Sequence, residues 1–153
     1  MVDSVTDSIT VSVWRGGAGG GDFQDFQVPQ QPSQTILDVI TWIQRHLDAS
    51  LSYRFACRVG MCGSCAMMVN GIPRWTCRTH VNKVMQDRQL TVEPLRNLPV
   101  IKDLACDMSE FFEKWRQAEG HFQGNSSRDE TVAAISPKSS QSQAANAAIE
   151  CII

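Results

Sequence analysis

The 153 residues (17.0 kDa) are 42% hydrophobic and 20% charged, with a formal net charge of −2. This is ordinary for a soluble protein of about one domain, and it excludes a globally basic nucleic-acid binder. No stretch approaches the ~18–20 consecutive apolar residues of a membrane span, and the first thirty residues lack the basic start and apolar run of a signal peptide, so none is expected.

Ile9-Thr10-Val11-Ser12-Val13-Trp14 alternates apolar and polar side chains and predicts a half-buried strand. Gly16 to Gly21 holds five glycines in six residues and reads as a loose hairpin connection; the Lys-Ser/Thr of a phosphate loop does not follow. Alternation resumes from Asp22 to Val28, a second strand ended by Pro29 and Pro32. Thr35-x-x-Asp38 resembles a helix-starting capping box. Ile36, Ile40, Ile43 and Leu47 follow at helical spacing, predicting a helix over 35–48 with Trp42 widening its apolar face. Residues 52–64 read as a loop and Ala66 to Val69 as a short strand. Asn70-Gly71 is a hairpin turn, Ile72 to Cys77 its return, and Leu90 to Glu93 a last strand. Strand, strand, helix, strands is the order of an α+β protein of the β-grasp type: a mixed sheet with one helix packed across it. Leu104, Met108, Phe111, Phe112 and Trp115 predict a second helix from 103 to 118, with Cys106 inside it. From Gln123 to Gln143 the composition of a linker takes over, and Ala144 to Glu150 can begin another helix.

Charge and cysteine are concentrated in the middle. Residues 52–88 carry net +5, against −4 for 1–51 and −3 for 89–153. Four of the six cysteines fall there, spaced Cys57-x4-Cys62-x2-Cys65-x11-Cys77. With no secretory signal, a metal site is favoured over a disulfide framework. Zinc sites usually present two short Cys hooks, whereas Cys-x4-Cys-x2-Cys…Cys is the plant-type 2Fe–2S pattern. Iron–sulfur therefore leads, zinc follows, and disulfides or free thiols come last. Gly60 and Gly63 allow the loop to aim amide N–H groups at sulfur, and Ser64 offers a further donor. Arg54, Arg58, Arg74 and Arg78 flank the cysteines and would offset the negative charge of a reduced cluster. That setting predicts a potential well above the ~−400 mV of plant-type ferredoxins. Cys106 reads as a small buried side chain, and Met67-Met68 as strand packing. His46, His80 and His121 lack ligand-like spacing, and no catalytic residue stands out.

Tyr53-Arg54-Phe55-Ala56-Cys57-Arg58-Val59-Gly60-Met61-Cys62-Gly63-Ser64-Cys65-Ala66 resembles the N-terminal domain of the iron–sulfur subunit of succinate dehydrogenase and fumarate reductase. Asn70-Gly71-Ile72-Pro73, Cys77, and Leu98-Pro99-Val100-Ile101-Lys102-Asp103-Leu104 continue the likeness, which returns at Ile149-Glu150-Cys151-Ile152. The resemblance implies that Cys57, Cys62, Cys65 and Cys77 are the 2Fe–2S ligands, surrounded by Arg58, Gly60, Gly63 and Ser64. It implies an electron-transfer subunit relaying electrons between an FAD-containing flavoprotein and quinone at a membrane anchor, with no catalytic centre of its own and no nucleic-acid partner. In the family a second, helical domain holds a 4Fe–4S and a 3Fe–4S cluster. Here Cys151 resembles the first ligand of an incomplete 4Fe–4S site, which this chain alone would not hold.

The expected division is a 2Fe–2S domain over 1–100, a connecting helix over 101–122, a linker over 123–143 and the start of a truncated helical domain over 144–153. The chain is expected on the cytoplasmic side of a bacterial inner membrane, bound peripherally. Uncovered apolar side chains on the connecting helix favour self-association. The alternatives are a stand-alone 2Fe–2S ferredoxin serving another flavoenzyme and a zinc-stabilised interaction module.

Overall fold

The computed structural model describes residues 7–120, 129–131 and 134–149. The chain divides into two compact units, with the break between Asp107 and Met108.

In the first unit, β1 (Ser8–Gly17) and β2 (Gly20–Pro29) form an antiparallel hairpin. Its turn is tight, not loose: Gly17 pairs with Gly20 and Gly16 with Gly21, leaving two residues outside the ladder. The glycines are needed inside the ladder. A Cβ on Gly21 would sit 2.1 Å from the Arg15 carbonyl oxygen, and one on Gly16 2.4 Å from that of Gly20.

Helix α1 (Ile36–His46) starts where the capping box places it. The Thr35 hydroxyl accepts from the Asp38 N–H at 3.2 Å, and the Asp38 carboxylate accepts from the Thr35 N–H at 3.0 Å. β3 (Ala66–Val69) and β4 (Ile72–Trp75) make the second hairpin. Asn70 and Gly71 both adopt positive φ at its turn. The Asn70 side chain then donates to the Val84 carbonyl at 2.7 Å and accepts from the Thr91 N–H at 2.8 Å. It thereby ties the turn to α2 (Val81–Val84), a short helix that apolar spacing does not reveal, and to β5 (Gln89–Glu93).

β5 runs parallel to β1 and antiparallel to β3, so the last-made strand of this set lies between the two hairpins. The mixed sheet with a helix across it is thus as expected. Ile9, Val11 and Val13 of β1 face the same core as Met67, Val69, Leu90 and Val92, and α1 covers them with Ile36, Val39, Ile40 and Ile43. Trp42 packs at the margin of this core, and Met67 and Met68 are both buried.

The helix expected from 103 is a correction. β6 (Val100–Lys102) and β7 (Ala105–Cys106) pair antiparallel there, and β6 reaches the end of β1 at Gly17. Asp103 turns the chain at φ 50, and Leu104 enters the first unit's core. Cys106 is therefore on a strand, buried as expected but not helical.

The second unit contains α3 (Ser109–Gln117) and α4 (Ser140–Ile149). α4 begins inside the stretch expected to be linker. On α3, Lys114 pairs with Glu110 and Arg116 with Glu113, while Phe112 and Trp115 are exposed. Among the described residues no helix is long and apolar enough to cross a membrane.

Candidate metal centre

The four clustered cysteines lie on two segments of the first unit. Cys57, Cys62 and Cys65 come from the loop before β3, and Cys77 from the turn after β4. That turn is fixed to the start of α1: the Ile36 and Leu37 N–H groups donate to the Thr79 and Thr76 carbonyls at 2.9 and 3.2 Å. Thr76, wholly buried, donates its hydroxyl to the Cys65 carbonyl at 2.7 Å, joining the two segments. Leu37 packs with Cys65 and Cys77, and Tyr53 and Trp75 close over them.

The thiols fall into two pairs. Cys57 shares a hydrogen bond with Cys62, and Cys77 with Cys65. Among the described residues no three His, Cys, Asp or Glu side chains gather as ligands of one metal ion. None of the five described cysteines is in a disulfide.

The loop backbone is aimed at sulfur. The Val59, Met61 and Cys62 N–H groups donate to Cys57 Sγ at 3.4, 3.3 and 3.4 Å. Positive φ at Arg58 and Gly60 folds the chain back so that these amides converge. They hold the Cys57 thiol down to about 6, because donors stabilise the thiolate. Cys77 behaves oppositely. Burial, then the neighbouring Cys65 thiol, push it up to about 11, although the Gly60 N–H facing it acts the other way. In the metal-free chain, iodoacetamide at pH 7 should therefore modify Cys57 well before Cys77, since the thiolate is the nucleophile. Peptide mapping against time checks this; equal rates at the two sites would contradict the amide cradle.

Four thiols in two pairs, with amides already pointed at sulfur, fit an anionic dinuclear cluster. Such a cluster takes two thiolates at each iron and is tuned by hydrogen bonds to sulfur. These residues could hold one.

The remaining expected residues are placed as follows. Gly60 is buried and Gly63 has φ 70, while Ser64 is exposed. The Arg58 guanidinium lies over the Phe55 ring, 5.0 Å from its centre. Among the described residues no ion pair involves Arg54, Arg58, Arg74 or Arg78. His80 precedes α2 and bridges to Thr35, while His46 stacks on Trp42. Burial raises the Cys106 thiol, whose Sγ lies 3.8 Å from the Leu95 carbonyl. Cys151 and His121 lie outside the described residues. Leu37, Thr76 and Trp75 were not anticipated; adjacency to Cys77 was the only signal for the last two.

The profile of the family described as "2Fe-2S iron-sulfur cluster binding domain" matches residues 10–113. The fumarate reductase iron-sulfur subunit of Mycobacterium tuberculosis is 44% identical over 92 residues, 60% of this chain and 37% of that protein. The Haemophilus influenzae protein of the same name is 38% identical over 100 residues, 65% of this chain and 38% of that one. The chain thus spans about two-fifths of the length of these relatives. Among solved structures, the Mycobacterium smegmatis Sdh1 complex in the apo form contains a chain 33% identical with a TM-score of 0.75. The match covers 96% of this chain and 62% of that one.

Proposed function

The chain belongs to the family of 2Fe–2S iron–sulfur cluster binding domains, and on that premise we propose that it is the N-terminal, electron-relaying part of a succinate dehydrogenase or fumarate reductase iron–sulfur subunit. The observation that carries this reading is the paired thiol set under convergent amides, taken with relatives named as such subunits. Cys57 and Cys62 would hold one iron, and Cys65 and Cys77 the other. The cluster, when bound, stores and releases one electron.

This chain's own residues do the rest. The amides of residues 59, 61 and 62 stabilise negative charge on the Cys57 sulfur. Leu37, Tyr53 and Trp75 cover the Cys65–Cys77 pair and limit water there. The fold over residues 10–93 is read as a β-grasp ferredoxin-type domain. The second unit is read as the connecting helix and the opening of a helical iron–sulfur domain, with Cys151 the first ligand of its 4Fe–4S site. The partners proposed are an FAD-containing flavoprotein, which would exchange electrons with this domain, and a membrane anchor reached through the helical domain. Peripheral attachment on the cytoplasmic side of a bacterial membrane follows from the same reading.

Anaerobic reconstitution of the purified chain with iron and sulfide tests it. Two irons and two sulfides per chain, with visible bands that bleach on one-electron reduction, are expected. Stoichiometric zinc without colour would replace the reading with a structural metal module. Stable co-purification with a flavoprotein subunit separates a respiratory subunit from a free-standing ferredoxin.

A further inference from the structure

We propose that Arg78 is a cation that raises the reduction potential of this site, and that Gly60 is the residue that admits it. The inference rests on the reading that Cys57, Cys62, Cys65 and Cys77 hold a 2Fe–2S cluster. Gly60 is buried at φ +73, and its N–H faces Cys77. A Cβ there would lie 2.7 Å from Arg78 Cγ, 3.3 Å from Arg78 Cδ and 3.2 Å from Trp75 Cε3. The Arg78 stem therefore lies directly against the residue whose amide faces Cys77.

The backbone fixes that placement. The Trp75 carbonyl accepts from the Arg78 N–H at 3.0 Å, the Thr79 N–H at 3.1 Å and the Thr79 hydroxyl at 2.9 Å. The turn that carries Cys77 thus carries Arg78 with it. Its charge is also uncancelled. Arg15, Arg88, Arg96 and Arg116 each pair with a carboxylate, whereas among the described residues none pairs with Arg78. Arg58, the other cation next to a cysteine in sequence, lies instead over the Phe55 ring. Adding an electron makes the site more negative, so a cation held beside it favours the reduced form. Because the side chain is exposed, salt screens the effect.

The test is a dye-mediated redox titration of the reconstituted full chain, followed by visible absorbance, with iron and sulfide measured in every sample. Arg78→Met keeps an aliphatic stem over Gly60 and removes the charge. It should lower the reduced-to-oxidised ratio at fixed solution potential by about three- to tenfold, tenfold being ~59 mV for one electron. Arg78→Lys should return the wild-type value, and the difference between wild type and Arg78→Met should shrink at high salt. Should Arg78→Met fail to load, Arg78→Gln should show the same drop. Loaded wild-type and neutral variants with one common potential would overturn the assignment to Arg78 while leaving the cluster reading intact. A wild-type chain that takes up neither iron nor sulfide would overturn that reading, and this inference with it.

Discussion

Serine in place of Cys57, Cys62 or Cys77 should reduce iron and sulfide incorporation to near zero and abolish the visible spectrum. On the proposed reading each thiol is one half of a pair, so removing it would leave one iron with a single thiolate. A hydroxyl is a much weaker ligand for soft iron–sulfide centres. The loop should then lose order, because ligand binding and loop folding are one equilibrium. Cys106→Ser is the control. Its thiol, on β7, lies 3.8 Å from the Leu95 carbonyl and packs with Met68 and Leu95, in a different cluster from Cys65 and Cys77, so the spectrum should survive with a stability loss of about 1–2 kcal/mol. Retention of the spectrum in all three ligand variants would refute the assignment.

Asp103→Ala should be strongly destabilising although it removes no apolar core side chain. The Asp103 carboxylate is almost wholly buried, and it accepts from the Gly16 N–H at 3.1 Å, the Ser52 N–H at 2.9 Å and Arg15 Nε at 3.0 Å. Arg15 also pairs with Asp48 at 2.5 Å and donates to Ser50 at 2.9 Å. One buried carboxylate thus joins β1, the chain entering the cysteine loop and the β6–β7 turn. Breaking a buried pair from one side costs about 3–5 kcal/mol. The Asp48 contact left to Arg15 places the expected loss near the lower end, at about 3 kcal/mol. With a urea slope of about 1–3 kcal/mol/M, the unfolding midpoint should fall by at least about 1 M. Asp103→Asn, which tolerates the positive φ and keeps an acceptor, should lose less. An Asp103→Ala midpoint within experimental error of wild type would contradict this.

How much of this could be read beforehand follows from the range of each interaction. Capping box, Asn-Gly turn and strand alternation are written within a few residues, and the structure reproduces them. The cysteine spacing is equally local, and it points to iron–sulfur ahead of zinc, in line with the matched 2Fe–2S family. The helix expected from 103 failed because Leu104 and Met108 fit a helical period by coincidence. Periodicity cannot see that Asp103 has positive φ, held by partners at Arg15, Gly16 and Ser52. The glycine run misled similarly. At Gly16 and Gly21, both in the ladder, a Cβ would strike the opposite strand, a cross-strand fact absent from composition. The pairing of thiols and the contact of Arg78 with Gly60 depend on where a loop closes, which spacing alone does not give.

The parallel pairing of β1 with β5 also has a consequence for biosynthesis. Thr10 lies opposite Gln89 and Val13 opposite Val92, and all four clustered cysteines occupy the chain between those strands. A ribosome therefore delivers these four thiols before it delivers the strand that joins the two hairpins. Non-local pairings of this kind close late. At ~5–20 residues per second, the interval between Cys77 and Glu93 is on the order of a second. During it the four cysteines are already made while the strand that joins the two hairpins is not, so the sheet behind the packing of Leu37, Tyr53 and Trp75 on the Cys65–Cys77 pair is still incomplete.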